Sequence, residues 1–276
     1  MSTIEANGIE LEYDYFGQDN APAIILIAGS GAQMNFWEPM FCDMLVEKGF
    51  YVIRFDNRDS GLSTKFADSA DSCPYSLYDM ADDISGLMDA LEIEKAHICG
   101  ASMGGMIAQI FACRYPDKTL TLTSIMSSTG NPGLPTISKE TLDTVTAPPP
   151  DDREGYISHT VAMWKALWSK EFPFEEERAR RYVEESFDRC YHPLGAIHHN
   201  MAVANVGDRR TELAKLRLPV LVVHGTADPM FPIEAGLDTA KVILGAKLLL
   251  IKGMGHDMPT GTWQEIVDAI AENAGI

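Results

Sequence analysis

This sequence predicts an α/β fold built on a doubly wound, mostly parallel sheet, and three observations carry that prediction. Short, continuously apolar runs such as Ala23–Ala28 and Val220–Val223 read as strands with both faces covered. Stretches with apolar residues at helical spacing lie between such runs. Strand and helix alternate along most of the chain, as expected of a parallel sheet wrapped by helices. The alternation is interrupted once, by a long segment that reads as helices and loops.

Taken in order, Ile4 to Phe16 forms an antiparallel hairpin turned at Asn7-Gly8, with Ile9, Leu11 and Tyr13 alternating with Glu10, Glu12 and Asp14. Ala23–Ala28 is the first buried strand and Tyr51–Phe55 the next. Between them Trp37, Met40, Phe41, Met44 and Leu45 recur at helical spacing. Ser76 is placed to cap a helix running to about Leu91, whose buried face carries Leu77, Met80, Ile84, Leu87, Met88 and Leu91. Then come strand Ala96–Cys99, helix Met103–Tyr115 and strand Leu120–Met126. The breakers Asn131-Pro132-Gly133-Leu134-Pro135 and Ala147-Pro148-Pro149-Pro150 end this rhythm. It resumes with strand Val220–Val223, a helix from Pro232 to about Ile243, strand Lys247–Ile251 and a last helix, Thr262 to about Ala274. The expected organisation is therefore a core from residues 1–130 and 211–276, with a helical cap, 131–210, inserted after the strand that follows the Met103–Tyr115 helix.

Composition bounds the function. With 276 residues, 46% of them hydrophobic, the chain can bury a substantial core. A formal net charge of −18 opposes binding to nucleic acid or to anionic membrane surfaces. No apolar run approaches the roughly 20 residues of a membrane helix, and Met1-Ser2-Thr3-Ile4-Glu5 has neither basic nor apolar signal character. Five scattered cysteines, Cys42, Cys73, Cys99, Cys113 and Cys190, read as reduced thiols of a cytoplasmic protein rather than a disulfide framework or metal site.

The chemistry concentrates in Gly100-Ala101-Ser102-Met103-Gly104. A serine between two glycines at this spacing arises by chance in roughly one protein in ten of this length. Here it sits between a strand and a helix, where a sharp turn leaves its hydroxyl exposed at the helix N-terminus. A serine hydroxyl attacks only when a neighbouring base takes its proton. His256, in Gly253-Met254-Gly255-His256 after the final strand, is the candidate base, and Asp228, in His224-Gly225-Thr226-Ala227-Asp228-Pro229, the carboxylate that would orient it. Asp257 adjoins His256 in sequence and would have difficulty reaching its ring. The position after the Leu120–Met126 strand offers Ser127, Ser128 and Thr129, with no carboxylate. His224 and His97 read as core histidines. For a developing oxyanion the backbone N–H of Met103 is one donor. The second is assigned to the Ser30 N–H, with Gly31 beside it, in the loop Ala28-Gly29-Ser30-Gly31. Asp56-Asn57-Arg58-Asp59-Ser60-Gly61-Leu62-Ser63 reads as charged residues pinning a loop beside the serine. Gly31 beside Ser30, and Trp164, Trp168 and His199 in the cap and its return, are candidate substrate contacts, although core packing and a helix face account for the cap residues equally well.

These motifs together resemble the α/β-hydrolase superfamily over essentially the whole chain. A narrower likeness is to the aclacinomycin methylesterase-like group, which hydrolyses the methyl ester of an anthracycline polyketide. Arg58-Asp59-Ser60-Gly61-Leu62-Ser63, Ser102-Met103-Gly104-Gly105, Gly253-Met254-Gly255-His256-Asp257-Met258-Pro259 and Gly207-Asp208-Arg209-Arg210-Thr211 carry it. One departure is Ala28-Gly29, where many relatives have His-Gly. The resemblance implies a cofactor-free, metal-free serine hydrolase that acts on a small-molecule carboxylic ester, and it leaves a homodimer open. An aspartate nucleophile, as epoxide hydrolysis or dehalogenation requires, is excluded by Ser102. Lactones, thioesters and activated carbon–carbon bonds remain open. So do a ligand receptor on the same fold and an aminopeptidase using Glu175, Glu176 and Glu177 to hold an amine.

Overall fold

The computed structural model describes residues 2–66 and 70–276. Eight strands form one sheet: β1 (Ser2–Ala6), β2 (Ile9–Phe16), β3 (Ala23–Ile27), β4 (Tyr51–Phe55), β5 (Ala96–Ala101), β6 (Thr119–Ile125), β7 (Val220–Gly225) and β8 (Lys247–Ile251). Their spatial order is β1-β2-β4-β3-β5-β6-β7-β8. β1 and β2 pair antiparallel across the Asn7-Gly8 turn, and β2 pairs antiparallel with β4. Every later pairing is parallel.

Helices cover both faces. α1 (Pro39–Glu47), α2 (Leu77–Ala90) and α3 (Met103–Arg114) belong to the first part of the chain, and α9 (Ile233–Val242) and α10 (Trp263–Ala274) to the last. Between β6 and β7 lie α4 (Lys139–Thr146), α5 (Arg153–Leu167), α6 (Glu176–Arg189), α7 (Pro193–Asn205) and the single turn α8 (Arg210–Leu213). The period-two geometry of a strand sorts its side chains between the two layers. Ile25, Ile27, Ile53, Ile98, Leu122, Val220 and Val222 pack under Leu77, Met80, Ile84, Leu87, Met103, Ile107 and Phe111 of α2 and α3. Ile24, Leu26, Val52, Cys99, Ile125, Leu221 and Val223 face Phe41 and Leu45 of α1 and Trp263, Ile266, Val267 and Ile270 of α10. Each such aliphatic or aromatic side chain contributes about 2 kcal/mol on burial.

Local signals set the ends. Ser76 caps α2 through a capping box, its hydroxyl accepting from the Asp79 N–H while the Asp79 carboxylate accepts from the Ser76 N–H. One helix differs from its sequence pattern. Pro39 opens α1, so Trp37 packs from the preceding turn rather than from the helix, and Met40 is 57% exposed.

The order β4-β3-β5 places a switch point between β3 and β5. The chain leaves β3 toward β4 and returns to β5 on the other side, opening a crevice at the carboxyl ends of the strands. Ile27 lies opposite Gly100 in register, so the loop after β3 and the turn after β5 emerge side by side.

Candidate active site

Ser102 follows β5 and precedes α3 with φ 56° and ψ −120°, a backbone conformation that costs a non-glycine residue about 1–3 kcal/mol. Backbone and side-chain hydrogen bonds hold it there. The Ser102 N–H donates to the Ile125 carbonyl (2.9 Å), and the Ser102 carbonyl accepts from the Gly105 N–H (2.9 Å) and the Ser127 hydroxyl (2.8 Å). The turn also needs two positions without side chains: a Cβ on Gly100 would lie 2.0 Å from the Gly104 carbonyl oxygen, and one on Gly104 2.2 Å from that of Ile27. Strand, turn and helix thereby press together, and the half-buried hydroxyl stands clear of both.

His256 and Asp228 arrive on the loops after β8 and β7, on the far side of β6 from Ser102. The two loops are tied to each other, with the Ala227 N–H donating to the Met254 carbonyl (3.0 Å) and the Gly253 N–H to the Thr226 hydroxyl (2.9 Å). His256 Nε2 lies 3.0 Å from Ser102 Oγ, and His256 Nδ1 lies 2.9 Å from Asp228 Oδ2. The second carboxylate oxygen of Asp228 accepts from the N–H groups of Met230 (2.8 Å) and Phe231 (2.9 Å). Burial alone would raise the Asp228 carboxyl, but the charge and hydrogen bond of His256, the Phe231 N–H and the nearby His224 hold it below the ordinary carboxylate range. An ionised Asp228 fixes the proton of neutral His256 on Nδ1, which leaves Nε2 bare toward Ser102. The Phe231 ring packs against the imidazole, centroids 5.6 Å apart. The line from hydroxyl through imidazole to carboxylate has the connectivity required to make an alkoxide equivalent at Ser102.

The loop after β3 runs beside the serine: a Cβ on Gly29 would lie 3.3 Å from Ser102 Cβ. Among the described residues, neither the Ser30 nor the Met103 backbone N–H has a protein acceptor. The Gly31 N–H does have one, His199 Nδ1 at 3.0 Å. Other side chains fasten the rest of the loop. Asn57 Nδ2 donates to the Ala28 carbonyl (3.1 Å), Ser60 Oγ to the Ala32 carbonyl (2.7 Å), and the Met34 N–H to Asp56 Oδ1 (2.8 Å).

Residues 22–259 match the α/β hydrolase fold family. The chain belongs to the α/β-hydrolase family. It is 30% identical over 272 residues to a rhodomycin D methylesterase of Streptomyces peucetius, covering 90% of this chain and 89% of that one. It is 26% identical over 231 residues to a 3-oxoadipate enol-lactonase of Acinetobacter baylyi, covering 83% and 80%. A solved meta-cleavage product hydrolase of Pseudomonas fluorescens IP01 superimposes with a TM-score of 0.82 at 22% identity, covering 100% of this chain and 97% of that one.

In this α/β hydrolase the remaining sequence candidates fall in varied places. His199 is fully buried; with Nδ1 on Gly31 and Nε2 2.8 Å from the Arg58 carbonyl, no ring nitrogen is left for a substrate. Trp168 is buried, its indole N–H donating to the Pro173 carbonyl (3.0 Å) and its ring edge-on to Phe174. Trp164 of α5 lies against Tyr182 of α6, centroids 4.8 Å apart. Glu175 is held by Arg178 and by the N–H and hydroxyl of Thr260, so it already has partners where an amine-binding role would need it free.

The Asp56–Ser63 stretch is a pinning loop. Arg58 forms a buried ion pair with Asp83 of α2 (2.6 Å), and Asp59 receives the Tyr75 hydroxyl (2.8 Å) and lies 2.8 Å from His198 Nδ1. His224 and His97 are buried and bonded, to the Phe231 carbonyl and to Thr121 Oγ1. Asp257 bonds Ser169 and the Gly255 N–H rather than the His256 ring.

A clasp that the sequence does not announce joins the end of α5 and the segment after it to the histidine loop. The His256 N–H donates to the Leu167 carbonyl (3.0 Å), the Lys170 N–H to the Gly253 carbonyl (2.9 Å) and the Gly255 N–H to Ser169 Oγ (2.9 Å). Only Ser169 is a side chain in that set, so no residue pattern announces it. Among the described residues no cluster of His, Cys, Asp and Glu is arranged to hold a metal ion, and no helix is long and apolar enough to cross a membrane. A cavity of about 610 Å³ is lined by Tyr78, Ile110, Cys113 and Leu216. It lies by the C-terminal end of α3, opposite the Ser102 end.

Proposed function

We propose that this α/β hydrolase cleaves a carboxylic ester through an acyl-enzyme on Ser102. Ser102 Oγ attacks the ester carbonyl carbon as His256 Nε2 takes its proton. The tetrahedral oxyanion is received by the N–H groups of Met103 and Ser30, and each such donor typically contributes about 3 kcal/mol to the barrier reduction. Collapse expels the alkoxide, protonated by His256. Water then attacks the acyl-enzyme with His256 again as base, and the acid leaves with Ser102 restored. Throughout, Asp228 holds the imidazole and stabilises its cationic form. The observation that carries this reading is the pair of contacts at 3.0 and 2.9 Å that join Ser102, His256 and Asp228.

The methyl ester of a bulky polyketide-like acid is the substrate class we favour, because the rhodomycin D methylesterases are 29–30% identical over 90% of the chain. The test is methanol release from a panel of methyl esters of polycyclic and simple acids, with p-nitrophenyl butyrate as a generic ester and Ser102→Ala as control. The reading expects turnover by the wild type and none above background by the variant. Turnover indifferent to the substitution removes the mechanism. Hydrolysis of enol-lactones in preference to every methyl ester reassigns the substrate, in keeping with the enol-lactonase likeness. Tight ligand binding with no hydrolysis points to a receptor.

A further inference from the structure

Besides the bonds to Asn57, Ser60 and Asp56, one more element holds the loop that carries the Ser30 N–H. That element is α7, the last long helix before the chain returns to the core. His199 Nδ1 accepts the Gly31 N–H at 3.0 Å, and the Asn200 side-chain carbonyl accepts the Ser30 hydroxyl at 2.8 Å. One turn earlier, Ala196 underlies the same loop: a Cβ on Gly31, which has φ +67°, would stand 3.0 Å from Ala196 Cβ. Positions 196, 199 and 200 share one helix face by their i, i+3, i+4 spacing. The helix is itself seated tightly, since a Cβ on Gly195 would lie 1.9 Å from the Asp59 carbonyl oxygen.

We propose that His199 and Asn200 are positioning residues for the oxyanion loop, holding the peptide units at Ser30 and Gly31 so that the Ser30 N–H, and not the Gly31 N–H, faces the reacting carbonyl. His199 performs this as a neutral ring. Its Nε2 faces the Arg58 carbonyl at 2.8 Å and must carry the proton, which leaves Nδ1 as a bare acceptor for Gly31. Full burial pushes the ring's pKa down to about 4, against an opposing pull from the Arg58 carbonyl, so the acceptor persists at neutral pH. With its N–H occupied, Gly31 cannot serve the oxyanion, and the neighbouring Ser30 N–H remains available. The cap's last helix is thus part of the catalytic scaffold rather than a removable cover. This inference rests on the ester-hydrolase reading.

Two substitutions separate the two ring nitrogens. His199→Asn keeps an oxygen acceptor near the Nδ1 position, whereas His199→Gln keeps a donor near Nε2 for the Arg58 carbonyl and loses the acceptor for Gly31. We expect His199→Asn to stay within about threefold of wild-type kcat, and His199→Gln to lose about tenfold or more with KM little changed. Affinity for a trifluoromethyl ketone, which forms an oxyanion adduct, should fall in step with kcat/KM. Equal losses in both variants, or a His199→Gln enzyme indistinguishable from wild type, would overturn the proposal.

Should either buried-site variant fail to fold, the exposed bond decides. Ser30→Ala and Asn200→Ala should each lower kcat by about threefold, and the double variant by no more than either alone. Additive losses, or none, overturn it. A wild type that neither hydrolyses an ester nor reacts with a fluorophosphonate sinks the ester reading itself; an active, labelled wild type with indifferent α7 variants sinks only this inference.

Discussion

Replacing Asp228 by Asn tests the electrostatic half of the site, because the surroundings dictate which way the amide must point. One carboxylate oxygen of Asp228 receives two backbone donors, the Met230 N–H at 2.8 Å and the Phe231 N–H at 2.9 Å. An amide NH₂ cannot face two donors, so the Asn oxygen stays there and its NH₂ turns to His256 Nδ1, 2.9 Å away in the native site. That contact is favourable only if Nδ1 is unprotonated. The imidazole proton then moves to Nε2, which points at Ser102 Oγ and can no longer accept its proton. The geometry survives but the base is lost. In the serine-protease triad the same Asp-to-Asn exchange lowers kcat about 10⁴-fold, equivalent to about 5 kcal/mol of barrier at 1.36 kcal/mol per decade. We expect a loss of about 10³–10⁴-fold here, with KM near wild type and a melting temperature within a few degrees. The assay is kcat and KM on p-nitrophenyl butyrate from pH 6 to 9, with circular dichroism melts on the same samples. A folded Asp228→Asn enzyme within tenfold of wild type would refute the reasoning, since tautomer control by this carboxylate would then be irrelevant to turnover.

Two further predictions concern stability. Gly100→Ala should prevent folding or cost more than about 3 kcal/mol, because the new methyl would lie 2.0 Å from the Gly104 carbonyl oxygen; urea unfolding reads this, and a variant as stable as wild type contradicts the close-approach argument. The pH dependence has two opposed parts. Burial pushes Asp257 up to about 6 against its Ser169 and Gly255 hydrogen bonds, so its contribution is full below the unfolded value near 3.8 and is lost as pH rises through about 6. Burial pushes His97 down to about 4 and His199 likewise, so their contribution is full above the unfolded value near 6.5 and is lost as pH falls through about 4. At 1.36 kcal/mol per unit, each group carries about 3 kcal/mol as an upper bound. Asp257→Asn should therefore raise the melting temperature more at pH 7.5 than at pH 4.5, and a gain that does not grow with pH opposes this account.

Much of the framework was legible because local rules governed it. The Asn7-Gly8 turn, the Ser76 cap and the doubly apolar β3 each announce their structure within a few residues, and the strands at 51–55 and 247–251 occur where the pattern puts them. The α1 pattern misled because Trp37 and Met40 share its spacing, while Pro39 fixes where the helix begins. That Ser102, Asp228 and His256 meet could be anticipated from their motifs because each follows a strand whose carboxyl end faces the same crevice. The partners of His199 could not. They are the backbone N–H of Gly31, 168 residues away in sequence, and the backbone carbonyl of Arg58, 141 residues away. Backbone groups look alike at every position, so residue identity gives no hint of them. The same holds for the Leu167–Lys170 clasp on the histidine loop, made largely by main-chain atoms.

The central claim is that Ser102 becomes covalently acylated, and peptide mapping of the labelled protein measures it most directly. A fluorophosphonate should add one equivalent to the wild type, located on the peptide that contains Ser102, and should leave Ser102→Ala unmodified. Asp228→Asn should be labelled orders of magnitude more slowly. Stoichiometric labelling at another residue, or an adduct that persists in Ser102→Ala, would contradict the account.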